Sequence, residues 1–148
     1  MSVFNAINIS ASGLTAERLR MDVISKNIAN SNTTRTANGG PYRRQMVVFK
    51  SQEQAAFSDV FNNVMANNNG NKAKGVEVVG VRNDKSPFKQ VYDPGHPDAN
   101  EEGYVLMPNV EVVTEMANMI SASRAYEANV TAMNATKNMA LRALELGK

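Results

Sequence analysis

The 148-residue chain contains no cysteine, which excludes disulfides, thiolate metal sites and a thiol nucleophile while leaving its redox compartment open. It contains no tryptophan, and aromatics make up 6% of it, so few large anchors exist for a compact core. With a single histidine, His96, no Ser/His/Asp arrangement can be assembled from the sequence. No apolar run approaches the roughly 18 residues needed to span a bilayer, so no membrane insertion is expected. Charge of one sign is also missing: residues 1–35 hold four basic and two acidic groups, 36–108 eight and eight, and 109–148 four and four. That balance provides no basic patch for phosphate backbones, so no nucleic acid is expected as a partner. Arg43-Arg44 is the only adjacent basic pair and reads as a solvated strand face.

What the chain does have is two ends with apolar stripes at helical spacing. Near the N-terminus Phe4, Ile7, Ala11, Leu14, Met21 and Ile28 recur in steps of three, four or seven. Near the C-terminus Val112, Met116, Met119, Tyr126, Val130, Met133, Ala140 and Leu144 do the same, with Ser123 and Lys137 in the remaining slots. Sustained seven-residue spacing marks helices that pack on other helices along a seam. The nine methionines suit either an adaptable packing surface or simply good helix formation. Residues 3 to about 30 therefore read as one helix, with a bend or a close helix contact at Gly13 and an Asp22–Lys26 pair one turn apart. The polar run Asn30-Ser31-Asn32-Thr33-Thr34 ends it. From Asn109 to Leu146 neither proline nor glycine occurs, and Asn109 is placed to cap a second, longer helix. Glu111 and Glu115, one turn apart with like charge, carry a small penalty that the N-terminal helix dipole and a basic partner offset.

Between the ends the text changes. Asn38-Gly39-Gly40-Pro41 is a turn cluster, Arg43–Lys50 a strand, and Phe57–Met65 a short helix or an irregular strand, with the apolar spacing favouring the helix. The Asn-, Lys- and Gly-rich run 62–75 reads as a loop or hairpin. Val76–Val81 and Phe88–Tyr92 read as strands, Asp93–Asp98 as an irregular turn, and Tyr104–Met107 as a last strand. The fold class is thus mainly α with a small β-rich middle: long N- and C-terminal helices pair as a coiled coil with short strands and loops between them. Three parts result, 1–35, 36–108 and 109–148. One apolar face on one partner falls short of the entropy of ordering so long a helix, so burial on several sides, as in a multi-chain bundle, is expected.

Chemistry finds little foothold. His96 lies near Asp93, Asp98, Glu101 and Glu102, but two prolines and a glycine in the same stretch favour an exposed turn over a metal or acid–base site. Asn8, Asn32, Asn129 and Asn134 each begin a glycosylation sequon, a coincidence in a chain whose first 30 residues show no uncharged secretory core. No catalytic residue, cofactor, metal or small-molecule substrate is therefore expected.

Several segments together resemble a known family. Ser10-Ala11-Ser12-Gly13-Leu14-Thr15-Ala16, Arg20-Met21-Asp22-Val23-Ile24-Ser25 and Asn27-Ile28-Ala29-Asn30-Ser31-Asn32-Thr33 are similar to the N-terminal signature of bacterial flagellar rod and hook proteins. Asn109–Met116, Ser121–Asn129 and Leu141–Glu145 match their C-terminal region. Gly40-Pro41-Tyr42-Arg43-Arg44-Gln45, and Asp93–Pro97 before Gly103-Tyr104-Val105, resemble the proximal members. The resemblance implies an axial structural subunit that transmits torque, located in the flagellar basal body and partnered by other rod proteins and by copies of itself. It also implies passage through the flagellar type III export apparatus without a cleaved signal peptide, and termini that order on assembly. Within that frame Leu14, Met21, Ile28, Met116, Met119, Ser123, Tyr126, Val130, Met133 and Leu144 are the expected subunit-packing residues. Arg124 and Glu127 are available for polar contacts between subunits. A soluble coiled-coil adaptor or export chaperone is the competing reading; a carboxylate-using hydrolase would require a pocket that the sequence does not suggest.

Overall fold

A computed structural model describes residues 3–37, 39–52 and 74–146. In chain order they form α1 (Val3–Ala29), β1 (Gln45–Ser51), β2 (Val76–Asn83), β3 (Lys89–Tyr92), β4 (Tyr104–Met107) and α2 (Val112–Glu145). The short helix expected at Phe57–Met65, most of the 62–75 loop and Asn38 of the turn cluster lie outside the described residues.

The first helix ends where the polar run begins. The Asn30 side chain donates to the Lys26 carbonyl, and the Thr33 hydroxyl donates to Asn30, so side chains take over from the helical ladder. The expected Asp22–Lys26 pair does not appear; the ion pair along α1 joins Glu17 to Arg20 at 3.7 Å. The second helix starts two residues later than its sequence suggests, with Glu111 rather than Asn109 at the N-cap. Asn109 does not cap it, because its side chain is engaged elsewhere: its Oδ1 accepts from the Arg44 N–H at 2.8 Å and its Nδ2 donates to the Ser86 carbonyl. Glu111 stands at the N-cap in extended conformation without a side-chain cap bond. The 34 residues of α2 run for about 50 Å.

The two helices lie side by side and antiparallel. Asn27 on α1 meets Glu115 on α2, and Gly13 meets Asn129, so the contacts fall fourteen residues apart on both. Between and beside those contacts Ala16, Val23 and Ile24 pack against the face of α2 that holds Ala122. Gly13 permits the close crossing: a β-carbon there would stand 3.1 Å from the Asn129 amide, which is itself tied to the Ala125 carbonyl. Of the bend and the close contact expected at Gly13, the contact is what the fold uses.

The middle of the chain makes two antiparallel pairs among the described residues. β1 pairs with β2 from Gln45–Asn83 to Ser51–Val76, with a register shift between Val48 and Phe49. β3 pairs with β4 from Lys89–Met107 to Tyr92–Tyr104, the two tyrosine rings meeting edge to face at 5.3 Å. Gly103, at φ +81°, reverses the chain beneath the Tyr92 ring, where a β-carbon would stand 2.9 Å from the ring. Val105, Pro108 and Val110 are buried and form a small second core.

Replacing Gly13 with Leu is expected to force the helices apart and cost about 1–3 kcal/mol of stability, read from urea unfolding. Gly13→Ala gains helix propensity against a slight crowding of Asn129 and is expected to stay within about 1 kcal/mol of the parent.

Candidate subunit interface

The site is built upward from a buried polar cluster where α1, β1 and α2 meet. Asn27 sits on the last turns of α1 and is 1% exposed. Its Nδ2 donates to the Gln45 carbonyl at 2.8 Å and to Glu115 Oε2 at 2.9 Å. Its Oδ1 accepts from the Gln45 N–H at 2.9 Å and from the Tyr42 hydroxyl at 2.9 Å. All four hydrogen-bonding positions of the amide are thereby filled. Towards Gln45 the amide acts as a neighbouring strand would, pairing both backbone groups of one residue.

Glu115, also 1% exposed, receives Arg44 Nε at 2.9 Å and Nη2 at 2.7 Å on its other oxygen. This is the basic partner expected to offset the like charge of Glu111 and Glu115. Arg44 continues to Asp84 at 3.3 Å, and Asp84 accepts from both the hydroxyl and the N–H of Ser86. Arg43 lies over the Phe88 ring, 4.2 Å from its centre, and donates to the carbonyls of Asp84 and Ser86. The adjacent arginines therefore do not form a solvated face: Arg44 ties the end of the β1–β2 ribbon to α2, and Arg43 ties it to the segment that follows β2.

The electrostatics follow from this arrangement. Burial, and then the Glu115 carboxylate, push the Tyr42 phenol above its ordinary value of 10.0, so it remains a donor to Asn27. Burial works against the Arg44 charge, but hydrogen bonds and charge from Glu115 and then Asp84 outweigh it and raise the guanidinium. The Ser86 hydroxyl, its N–H and Arg44 together hold the Asp84 carboxyl below its usual range.

The cluster fixes which faces of α2 turn inward. Glu115 and Ala122 are buried, and Asn129 and Thr136 follow at the same seven-residue step, half-buried. Met119, Tyr126, Met133 and Ala140, one side of the expected seam, are half-buried alongside them. The other expected side, Met116, Ser123, Val130, Lys137 and Leu144, is turned about one residue away from α1. Met116 and Leu144 are exposed, the latter by 71%, while Ser123 and Val130 are half-buried. On α1 Leu14, Met21 and Ile28 are half-buried. Arg124 and Glu127 are exposed. A second stripe, Val113, Met116, Ile120, Ser123, Glu127, Val130, Asn134, Lys137, Leu141 and Leu144, runs in steps of three and four and is exposed except at the half-buried Ser123 and Val130. Val113, Met116, Ile120, Leu141 and Leu144 are all exposed, so the stripe is apolar at its ends and polar at its centre.

His96 closes its own turn, its Nδ1 accepting from the Asp98 N–H at 3.1 Å. No group of three His, Asp or Glu side chains that could hold a metal occurs among the described residues. A cleft of about 400 Å³ between Thr34–Pro41 and the β3–β4 hairpin is crossed by a Thr34–Asp98 hydrogen bond of 2.8 Å. Among the described residues no helix is long and apolar enough to cross a membrane.

Both terminal helices fall within known families. Residues 7–35 match the family described as flagella basal body rod protein. Residues 101–146 match the C-terminal family of flagellar basal body rod FlgEFG proteins. Over its full length the chain is 52% identical to the flagellar basal-body rod protein FlgC of Bacillus subtilis (strain 168), covering all of both chains. It is 47% identical to the FlgC of Borreliella burgdorferi over 99% of this chain and 98% of that one. The FlgC of Aquifex aeolicus is 40% identical over 100% and 99%.

Two outcomes are expected at the polar cluster. Glu115→Ala strands Arg44 and Asn27 and is expected to cost about 3–5 kcal/mol, whereas the paired change Arg44→Met with Glu115→Met leaves stability within about 1–2 kcal/mol of the parent, both by urea unfolding. Because the folded Tyr42 phenol is raised, its contribution is complete below pH 10.0 and is lost as pH climbs through the folded value. A Tyr42→Phe chain is expected to show a flatter fall of melting temperature at alkaline pH.

Proposed function

The chain belongs to the flagellar basal-body rod proteins, and we infer how it serves as a structural subunit of that rod from the outward stripe of α2. Apolar side chains at both ends of a long helix, left uncovered by α1, are a packing surface in search of helices from neighbouring molecules. That stripe carries the reading. Met116, Val130 and Leu144 provide apolar contact along it, while Ser123, Lys137, Glu127 and the nearby Arg124 set register and choose partners. Ser123 has no polar partner beyond its own helix, where it donates to the Ile120 carbonyl, so a neighbouring group is free to engage it.

Within the subunit α1 and α2 pair as a coiled coil; contacts recurring at two heptads on both helices support this. Met119, Tyr126 and Met133 on α2 and Leu14, Met21 and Ile28 on α1 flank that inner seam. Residues 1–35 and 109–148 supply the N- and C-terminal helices of the rod core, and 36–108 the β-rich and loop middle region. The subunit works by polymerising with copies of itself and with other rod proteins in the proximal part of the shaft, transmitting torque without catalysis. It reaches the basal body through the flagellar export apparatus.

Mass spectrometry of purified hook–basal bodies is expected to find the chain at a fixed ratio to the other rod proteins. Its absence there, with abundant folded chain in the cytosol, would favour a soluble adaptor instead. Met116→Glu combined with Ile120→Glu places charge in the outward stripe, costing about 3–5 kcal/mol at each contact where it is buried unpaired. Cells carrying that variant are expected to lose rods and motility, while urea unfolding of the isolated chain is unchanged. Ser123→Leu is expected to give tighter but misregistered assembly; rods of normal length and symmetry would contradict the role of Ser123.

A further inference from the structure

The β1–β2 ribbon has two free edges. Backbone groups alternate along each strand, and the Arg44 carbonyl accepts from Asp84 while the Gln52 N–H donates to Gly75. Even-numbered residues of β1 thus face β2, and Gln45, Val47 and Phe49 face away. Gln45 is closed by the Asn27 amide. Val47 and Phe49 find no backbone partner among the described residues. By the same alternation Gly80 and Arg82 face β1, and Val81 and Asn83 present the outer edge of β2. Neither edge carries the proline, lysine or inward charge that blunts an exposed strand at these positions. A two-stranded ribbon alone is marginal in water.

The two edges are complementary in shape as well as in hydrogen bonding. Beside the β1 edge runs a groove of about 330 Å³, with Val23 and Ile24 of α1, Asn118 of α2, and Val47 and Phe49 among its lining residues. Cross-strand partners share a face, so the Val81 side chain lies on the same face of the ribbon as Val47, and it is exposed. A β2 strand laid antiparallel against β1 would carry its Val81 side chain on the grooved face. The register shift near Val79 and the Asn27 amide at Gln45 limit pairing to a short stretch around Val47 and Val81.

We propose that the β1 edge of one subunit takes the β2 edge of a second copy, joining neighbouring ribbons into one continuous antiparallel sheet. The contact uses different surfaces on the two copies, so every subunit offers one edge and accepts another, as an open helical assembly requires. The inference rests on the rod reading but uses none of the outward stripe of α2.

The absence of cysteine makes the test clean. Cells co-producing Val47→Cys and Val81→Cys chains are expected to yield basal bodies in which mild oxidation gives a disulfide-linked dimer. That dimer is expected to be absent when either variant is produced alone, and absent when Val91→Cys replaces Val81→Cys. Val47→Pro removes an outward N–H without touching the ladder to β2. It is expected to keep the melting temperature of the parent chain and to be lost from rods, whereas Val47→Thr is retained. Basal bodies that contain both cysteine chains without a cross-link, or that incorporate Val47→Pro like the parent, would overturn the inference and leave the rod reading intact. Absence of every variant and of the parent from basal bodies would overturn both.

Discussion

The amide of Asn27 and the carboxylate of Glu115 meet in a nearly dry place, and everything else is arranged around satisfying them. A buried amide with four filled hydrogen bonds and a buried carboxylate held by a guanidinium tolerate little displacement, because any slip leaves a polar group without water or partner. Apolar contacts along two helices do not have that property: Val23 and Ile24 would be buried about as well one heptad up or down. The polar cluster turns an approximate pairing of helices into one register. Through Arg44 and Gln45 it also fixes the angle at which the β1–β2 ribbon leaves the helices.

That choice of register determines what is left for neighbours. With Glu115 turned inward, Ala122 and Asn129 follow on the same face, and Gly13 allows the close crossing at the far end. Met116, Ile120 and Leu144 are then carried outward on a second stripe. An inner seam anchored by charge and an outer seam of exposed apolar side chains is a reasonable division of labour for a subunit that folds around one contact and assembles through another. The β1–β2 ribbon, held at a set angle by the same cluster, presents its edges in a repeatable direction.

The helices, the two hairpins and the close approach at Gly13 were legible because each has a local cause: seven-residue spacing, alternation between turn residues, and a small side chain in a helical run. Along the α2 stripe Met119, Tyr126 and Met133 are half-buried, as are Ser123 and Val130, whereas Met116 and Leu144 are exposed and Glu115 is buried. Hydrophobicity favoured Met116 and Val130 over Glu115 and Asn129, and no local rule announces that a glutamate will be buried. Its partner, Arg44, lies 71 residues away in sequence, in a dipeptide whose composition suggests an exposed edge. Asn109 was misread for the same reason: the capping preference is real, but Arg44 and Ser86 compete for the side chain and win. The signal available was the like-charged Glu111–Glu115 pair, which a basic partner relieves without the sequence naming it.

The most direct measurement is the distance between spin labels at Ser25→Cys and Asn138→Cys, diluted with unlabelled chain in purified basal bodies. With Asn27 opposite Glu115, these sites stand about 30 Å apart along the helix pair, and a one-heptad slip changes that by about 10 Å. A register set by the polar cluster predicts a single narrow distance in the parent chain and a shifted or split distribution when Asn27 and Glu115 are both replaced by Leu. The same narrow distance in both chains would show that apolar packing alone sets the register, and would contradict the role assigned to the cluster.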